Sequence, residues 1–409
     1  MSEKAELANR LLDELSDFST LDRSREVLDR LQVLLADFMI CVRSGNQKSL
    51  QPSLLFKDGA VGLAARLASQ SAFEDRDDLD WSAINHPGSV VFAATLATPI
   101  VHSEFRSHVL TSALAGMRAS ASIAHFFGST HRRRWHITAT AGTFGACAAA
   151  AASLGLSSQR TKRAFHLAGT NMGGIGQVSR ELQGTPRFNR AAAASLGVTA
   201  AAGAYENFPA LSGLWAGDRG LIEVFDLDAV ITEGSLIKDG IRSVRVRTFP
   251  ANGFIQSALL GTAQLARENP APLKNLTVEI NAGVFPILSD PNKERWWNLQ
   301  LNTSAAWASK DPMNLSPAPE IEKVVTAIGG DIALGSARIS GATTEGTFER
   351  FIAVAPGLEL FSPIETTWRQ EKWRSMIGSE WEEIADLAAN LVSGEISDQG
   401  WSQISKLLR

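Results

Sequence analysis

The 409 residues are about twice a usual single-domain length, so one enlarged domain or two domains are expected. Hydrophobic residues make up 44% and charged residues 20%, which excludes a disordered or collagen-like chain. With 39 Lys+Arg against 43 Asp+Glu the formal charge is −4, which supplies no bulk attraction to nucleic acid or an anionic membrane.

The opening MSEKAELANRLLDELSDF carries acids throughout and sets Leu7, Leu11, Leu15 and Phe18 on one helical face. It predicts a helix and not a signal peptide. REVLDRLQVLLADFMICV is apolar on more than one face and predicts a buried helix. Turns are expected at Asp58-Gly59 and Pro87-Gly88. TATAGTFGACAAAAASLG (137–154) and RAAAASLGVTAAAGAY (190–205) are rich in the best helix former and predict central helices whose small faces allow close approach. Near residue 240 the pattern changes. SVRVRTF (243–249) and LTVEI (276–280) alternate as half-buried strands do, with GFIQSALLGTAQLARE between them as a helix capped by the Asn252-Gly253 turn. SARIS (336–340) and TFERFIAVA (347–355) read as further strands, and from Pro363 the chain returns to helices, WEEIADLAANLV being the clearest.

The expected fold is therefore mainly α. A large all-α domain is built from both chain ends (1–240 and 362–409), and a smaller α+β lid domain (241–361) is inserted in it. No apolar stretch reaches the ~18–20 residues of a membrane span. The two cysteines, Cys41 and Cys147, exclude a disulfide framework or thiolate metal site and fit a reducing cytoplasm.

All seven histidines fall between His86 and His166. His102, His108, His125 and His166 lie in helical contexts and are read as structural. His86 follows the acid-rich EDRDDLD and precedes Pro87-Gly88, in a loop of the kind that carries catalytic groups. Asp75, Asp77 and Asp78 are placed to orient such an imidazole or to act as base; the alternative is a solvated acidic loop with a helix-capping Asp. His136 stands between Arg132–Arg134 and the first alanine-rich helix, where backbone N–H groups favour anions and Thr138 and Thr140 add hydroxyls. That makes a carboxylate corner, or else an exposed basic turn. Arg187 and Arg190 precede the second alanine-rich helix. Arg245 and Arg247 share one strand face and offer planar guanidinium groups suited to carboxylates. A dinucleotide loop, a Walker A sequence, a G-x-S-x-G elbow and an HExxH pair are all missing, and the histidines are not at metal-ligand spacing.

HPGSVVFAATLATPI after an Asp-rich loop, and WHITATAGTFGACAAAAASLGLSSQRTKRAFHLAGTNMGGI, resemble segments of the MmgE/PrpD family. That family includes 2-methylcitrate dehydratases, cis-aconitate decarboxylases and iminodisuccinate epimerases. RFNRAAAASLGVTAAAG and VRVRTFPANGFIQSALLG look like weaker versions of two later motifs. The resemblance implies a helical domain from both chain ends and a lid, with the active site between them. It also implies a homodimer without a cofactor or metal, acting on a small di- or tricarboxylate in the cytoplasm.

Position by position, the resemblance implies Asp75, His86 and His136 as catalytic residues. It puts Arg187 near the place of a family lysine, Asn189 in place of a histidine, Arg247 in place of the lid lysine, Asn252 in place of a lid His/Cys and Leu301 in place of a lid tyrosine. Arg187, Arg247, Asn252, Asn189 and Thr138 are then expected to bind substrate. The expected activity is a lyase reaction, with proton abstraction next to a carboxylate and loss of water or carbon dioxide. The alternatives are an isomerase, epimerase or cyclase on a modified substrate, and a non-catalytic partner subunit.

Overall fold

Alanine and glycine set the spacing of the central helices in the computed structural model, which describes residues 3–48, 59–181, 185–228, 240–290, 295–355 and 366–408. Every residue of helix Ile137–Ser153 is buried. A Cβ at Gly145 would stand 3.1 Å from the Gly116 carbonyl oxygen, and one at Gly197 only 2.6 Å from the Cys147 amide nitrogen. Helices Val109–Arg134 and Thr185–Tyr205 therefore approach this helix almost backbone to backbone, a packing that orders little side-chain entropy. Helix Pro87–Val101, buried over nearly its whole length, completes the centre.

Helix Arg25–Lys48 is buried on several sides, as its composition predicts. Its covering comes partly from helix Gly59–Ser71 and partly from the far end of the chain, through helices Thr366–Ile377, Glu380–Ser393 and Asp398–Leu408. Residues from Ala8 to Val246 and from Trp373 to Leu408 form one hydrophobic cluster. A polar clamp joins the two ends: Lys372 Nζ donates to Asp37 Oδ1 at 2.6 Å and to the Arg76 carbonyl at 2.7 Å, and Trp373 Nε1 donates to the same Asp37 oxygen at 2.7 Å.

A second cluster gathers buried side chains from Phe249 to Ala355. Strands β3 (Leu273–Asn281), β4 (Val325–Gly330), β5 (Ala337–Thr343) and β6 (Thr347–Ile352) form a sheet in the order β4-β3-β5-β6, in which only the β3–β4 pair is parallel. Leu276, Val278 and Ile280 alternate into this cluster, which helices Gln256–Glu268 and Leu299–Ser309 complete. The chain is thus mainly α with one small sheet region.

Several local readings change. In 243–249 only Val244–Arg245 (β2) pairs, as a two-residue ribbon with Leu79–Asp80 (β1). The alternation there marks a segment sealed on both sides, since Arg245 and Arg247 are both fully buried. β6 ends at Ile352 instead of running to 355, and β4, whose VTAIGG has no clean alternation, is an addition. Asn252 does cap the turn before helix Gln256–Glu268, its side-chain oxygen accepting from the Phe254 N–H at 2.9 Å. Asp58, Pro363 and the 361/362 boundary lie outside the described residues.

Candidate active site

The acid-rich loop after helix Gly59–Ser71 is not solvated. Asp77, Asp78 and Asp80 are buried, and Asp75 adopts the left-handed backbone region that Asp tolerates better than most residues. Charge is matched from two distant elements. Asp77 takes ion pairs from Arg190 at the start of helix Thr185–Tyr205 and from Arg247 just beyond β2. Arg247 Nε also donates to the Asp77 carbonyl at 2.7 Å, and its Nη1 lies 2.7 Å from Asp75 Oδ1. The Gly88 N–H donates to Asp78 Oδ2 at 2.8 Å. Burial and the neighbouring Asp77 raise the Asp78 carboxyl to about 7. The Lys372 clamp fixes this loop from behind, through the Arg76 carbonyl.

This frame holds His86 at the N-cap of helix Pro87–Val101. His86 Nδ1 is 2.6 Å from the Asp78 backbone carbonyl, with Asp77 Oδ2 at 3.6 Å. A carbonyl oxygen only accepts, so the ring proton sits on Nδ1 and Nε2 keeps its lone pair. Burial, then Arg190 and Arg247, hold the imidazole well below the usual histidine range, hence neutral.

His136 caps helix Ile137–Ser153 and is placed by a kink. Helix Val109–Arg134 breaks at Gly128, whose φ of 80° is in the left-handed region and where any Cβ would run into the Asp228 carboxylate. The redirected last turn carries Arg132–Arg134 to His136, and the His136 N–H donates to the Gly174 carbonyl at 2.8 Å. The Asn189 side-chain amide donates to His136 Nδ1 at 3.3 Å. An amide N–H only donates, so here Nδ1 accepts and the proton sits on Nε2. Burial, then Arg190, bring this ring down to about 3. Thr138 ties the two loops together, its hydroxyl oxygen accepting the His86 N–H at 3.2 Å. The two histidines are therefore both neutral, with opposite tautomers.

Both line one cavity of about 1170 Å3, together with Asp75, Thr138, Arg187 and Asn252. Among the described residues, six arginines face it (Arg132, Arg133, Arg134, Arg187, Arg190 and Arg295) against a single acid, Asp75. Arg187 is half-buried, with its guanidinium 4.9 Å above the Phe73 ring.

Two expectations are corrected. Arg247 is not on the cavity wall. It is fully buried in ion pairs with Asp75 and Asp77, which hold it to the acidic loop. Asn189 is also off the wall and holds the His136 ring. Leu301 does not line the cavity, and neither do His102, His108, His125, His131 and His166. Arg295, Trp296 and Trp297, which the sequence reading did not single out as site residues, form part of the wall. Their only signal was a charged turn running into paired tryptophans. Among the described residues no group of three or more His, Cys, Asp or Glu side chains is arranged to hold a metal ion, and no helix is long and apolar enough to cross a membrane.

A mainly α chain with a small sheet region thus carries an arginine-lined cavity that joins two loop-mounted histidines. Residues 64–232 match the family model of the MmgE/PrpD N-terminal domain, a match that supports membership of the MmgE/PrpD family. The match includes His86, His136, Arg187 and Asn189 and ends before Arg247 and Asn252. The family points to enzymes of dehydratase or lyase type. No curated protein matches the chain.

Proposed function

We propose that this chain is a lyase that removes a proton from carbon next to a carboxylate of a di- or tricarboxylate substrate. His86 Nε2 takes the proton, and the electron pair left on carbon delocalises into the carboxylate. His136 Nε2–H and Arg187 stabilise the enediolate charge in a site with few competing waters. The pair then forms a C=C bond and expels hydroxide from the next carbon; the hydroxide takes the proton now on His86 and leaves as water. Where carbon dioxide is lost instead, the pair of the broken C–C bond stays on carbon and takes up a proton there. Arg190 and Arg247, paired to the acidic loop, position His86 and keep it unprotonated. Residues 241–361 act as a lid over residues 1–240 and 362–409, and closure excludes bulk water. Homodimer formation in the cytoplasm is part of the same reading, and light scattering of the purified chain tests the dimer.

The observation that carries this proposal is the pair of neutral histidines in opposite tautomers on one arginine-lined wall. One presents a bare lone pair and the other an N–H. The test is proton NMR of a dicarboxylate and tricarboxylate panel in D2O. Exchange at carbon next to a carboxylate, with release of a fragment, is expected from the native chain. His86→Gln should slow it about 10²–10⁴-fold without changing the circular dichroism spectrum.

A second reading, an isomerase, epimerase or cyclase, is favoured by one feature: Asn189 and Asn252 stand where the family resemblance puts His or His/Cys, and an amide cannot protonate a leaving hydroxide. Exchange or rearrangement without loss of a fragment selects it. Absence of both exchange and turnover across the panel overturns both enzymatic readings.

A further inference from the structure

The two walls of the cavity differ in chemistry. The larger helical part presents the histidines, Thr138 and five of the six described arginines, interspersed with apolar residues such as Phe73, Ile84 and Trp135. The smaller unit is mostly apolar, with Phe254, Val284, Ile287, Trp296, Trp297 and Leu334 beside Asn252 and Arg295. Of these, Leu334 is 42% exposed without a ligand, and Ile175 at the other side of the mouth is 66% exposed. Large apolar side chains left open around a concave site mark a binding surface.

The cavity of about 1170 Å3 also exceeds the roughly 300–1,000 Å3 that holds drug-sized ligands. A bare small tricarboxylate would engage the arginine wall and leave the tryptophan wall facing water. If the walls closed on it, Ile287 and the tryptophans would press on guanidinium groups and strip their hydration without supplying acceptors, which is unfavourable. Both walls are satisfied together only by a ligand with two ends. With Arg190 paired to Asp77 and Arg134 to Asp226, the wall still carries Arg132, Arg133, Arg187 and Arg295, which call for more than one carboxylate on its head. The aromatic wall calls for a hydrocarbon body.

We infer that the substrate of this site is an amphiphilic polycarboxylate, a di- or tricarboxylate head carrying a hydrocarbon chain or ring that lies on the Phe254–Trp296–Trp297 wall. This rests on the carboxylate reading above and narrows it. Isothermal titration of the intact chain with succinate, 2-octylsuccinate and octanoate tests it. Burial of each methylene should tighten binding about threefold, so 2-octylsuccinate should bind at least about 30-fold more tightly than succinate and also more tightly than octanoate. Leu334→Glu, at a half-open position that tolerates a polar residue, should lower the ratio of 2-octylsuccinate to succinate affinity. Ile287→Glu should do the same from within the wall.

Equal affinities for succinate and 2-octylsuccinate would overturn the apolar body and leave the carboxylate reading standing. Octanoate binding as tightly as 2-octylsuccinate would overturn the polycarboxylate head. No binding of any of the three would overturn this inference and the carboxylate reading together.

Discussion

Arg247 shows how far the role of one side chain depends on its partner. Read along the strand, a guanidinium suits a substrate carboxylate. In the fold, Asp75 and Asp77 occupy it 170 positions away in sequence. Arg247→Met leaves Asp75 without this cation and the buried Asp77 with Arg190 alone, and should destabilise the chain by about 3 kcal/mol in urea unfolding; a change in activity with stability intact would contradict this placement. The titrating groups give a second expectation. The folded chain holds His136 neutral down to about 3, whereas the unfolded chain binds that proton near 6.5, so stability falls as pH drops from about 6.5 toward 3. Asp78 acts oppositely: its folded-state value of about 7 exceeds the unfolded 3.8, so its contribution is present below 3.8 and is lost as pH rises to 7. Asp78→Asn, which keeps an acceptor for the Gly88 N–H, should therefore steepen the rise of stability between pH 4 and 6.5. An unchanged slope in thermal melts would show that Asp78 titrates elsewhere.

Helix contacts in this chain are set by atoms that are missing. An exposed Gly→Ala change gains about 1 kcal/mol of helix propensity. At Gly197 a Cβ would stand 2.6 Å from the Cys147 amide nitrogen, and backbone cannot swing aside. Gly197→Ala should consequently lower stability by about 1–3 kcal/mol, seen as a lower melting temperature; a rise would mean that the two helices are further apart. Such helices were legible in the sequence because alanine-rich runs with interspersed Phe and Val have few other outcomes. The strand at 243–249 was less legible. Alternation reports two different faces but not that both are covered, and here loop 75–80 seals the polar one. β4 escaped because glycines at 329 and 330 interrupt its pattern. His86 and His136 met through the family resemblance, not through spacing. Their tautomers depend on a carbonyl and an amide that only the folded chain brings to Nδ1.

At the scale of the whole molecule, charge is distributed against its own average. The chain carries −4 overall, yet among the described residues the cavity wall holds six arginines and one aspartate. On the proposed function, a dicarboxylate should be drawn to the cavity by a local field, which is screened over about 30 Å at 0.01 M salt and about 8 Å at 0.15 M. Its association rate should fall several-fold across that range in stopped-flow fluorescence, while an uncharged analogue is insensitive. The joining of both chain ends around helix Arg25–Lys48 bears on biosynthesis. Asp37, Arg43 and Asn46 take partners from Lys372 and Trp373, Glu380 and the Leu408 carbonyl. A nascent chain leaving the ribosome must keep the apolar flank of that early helix uncovered until residues 366–408 have emerged. The larger unit therefore completes only after translation has passed through the whole smaller one, and chaperone demand concentrates in that interval.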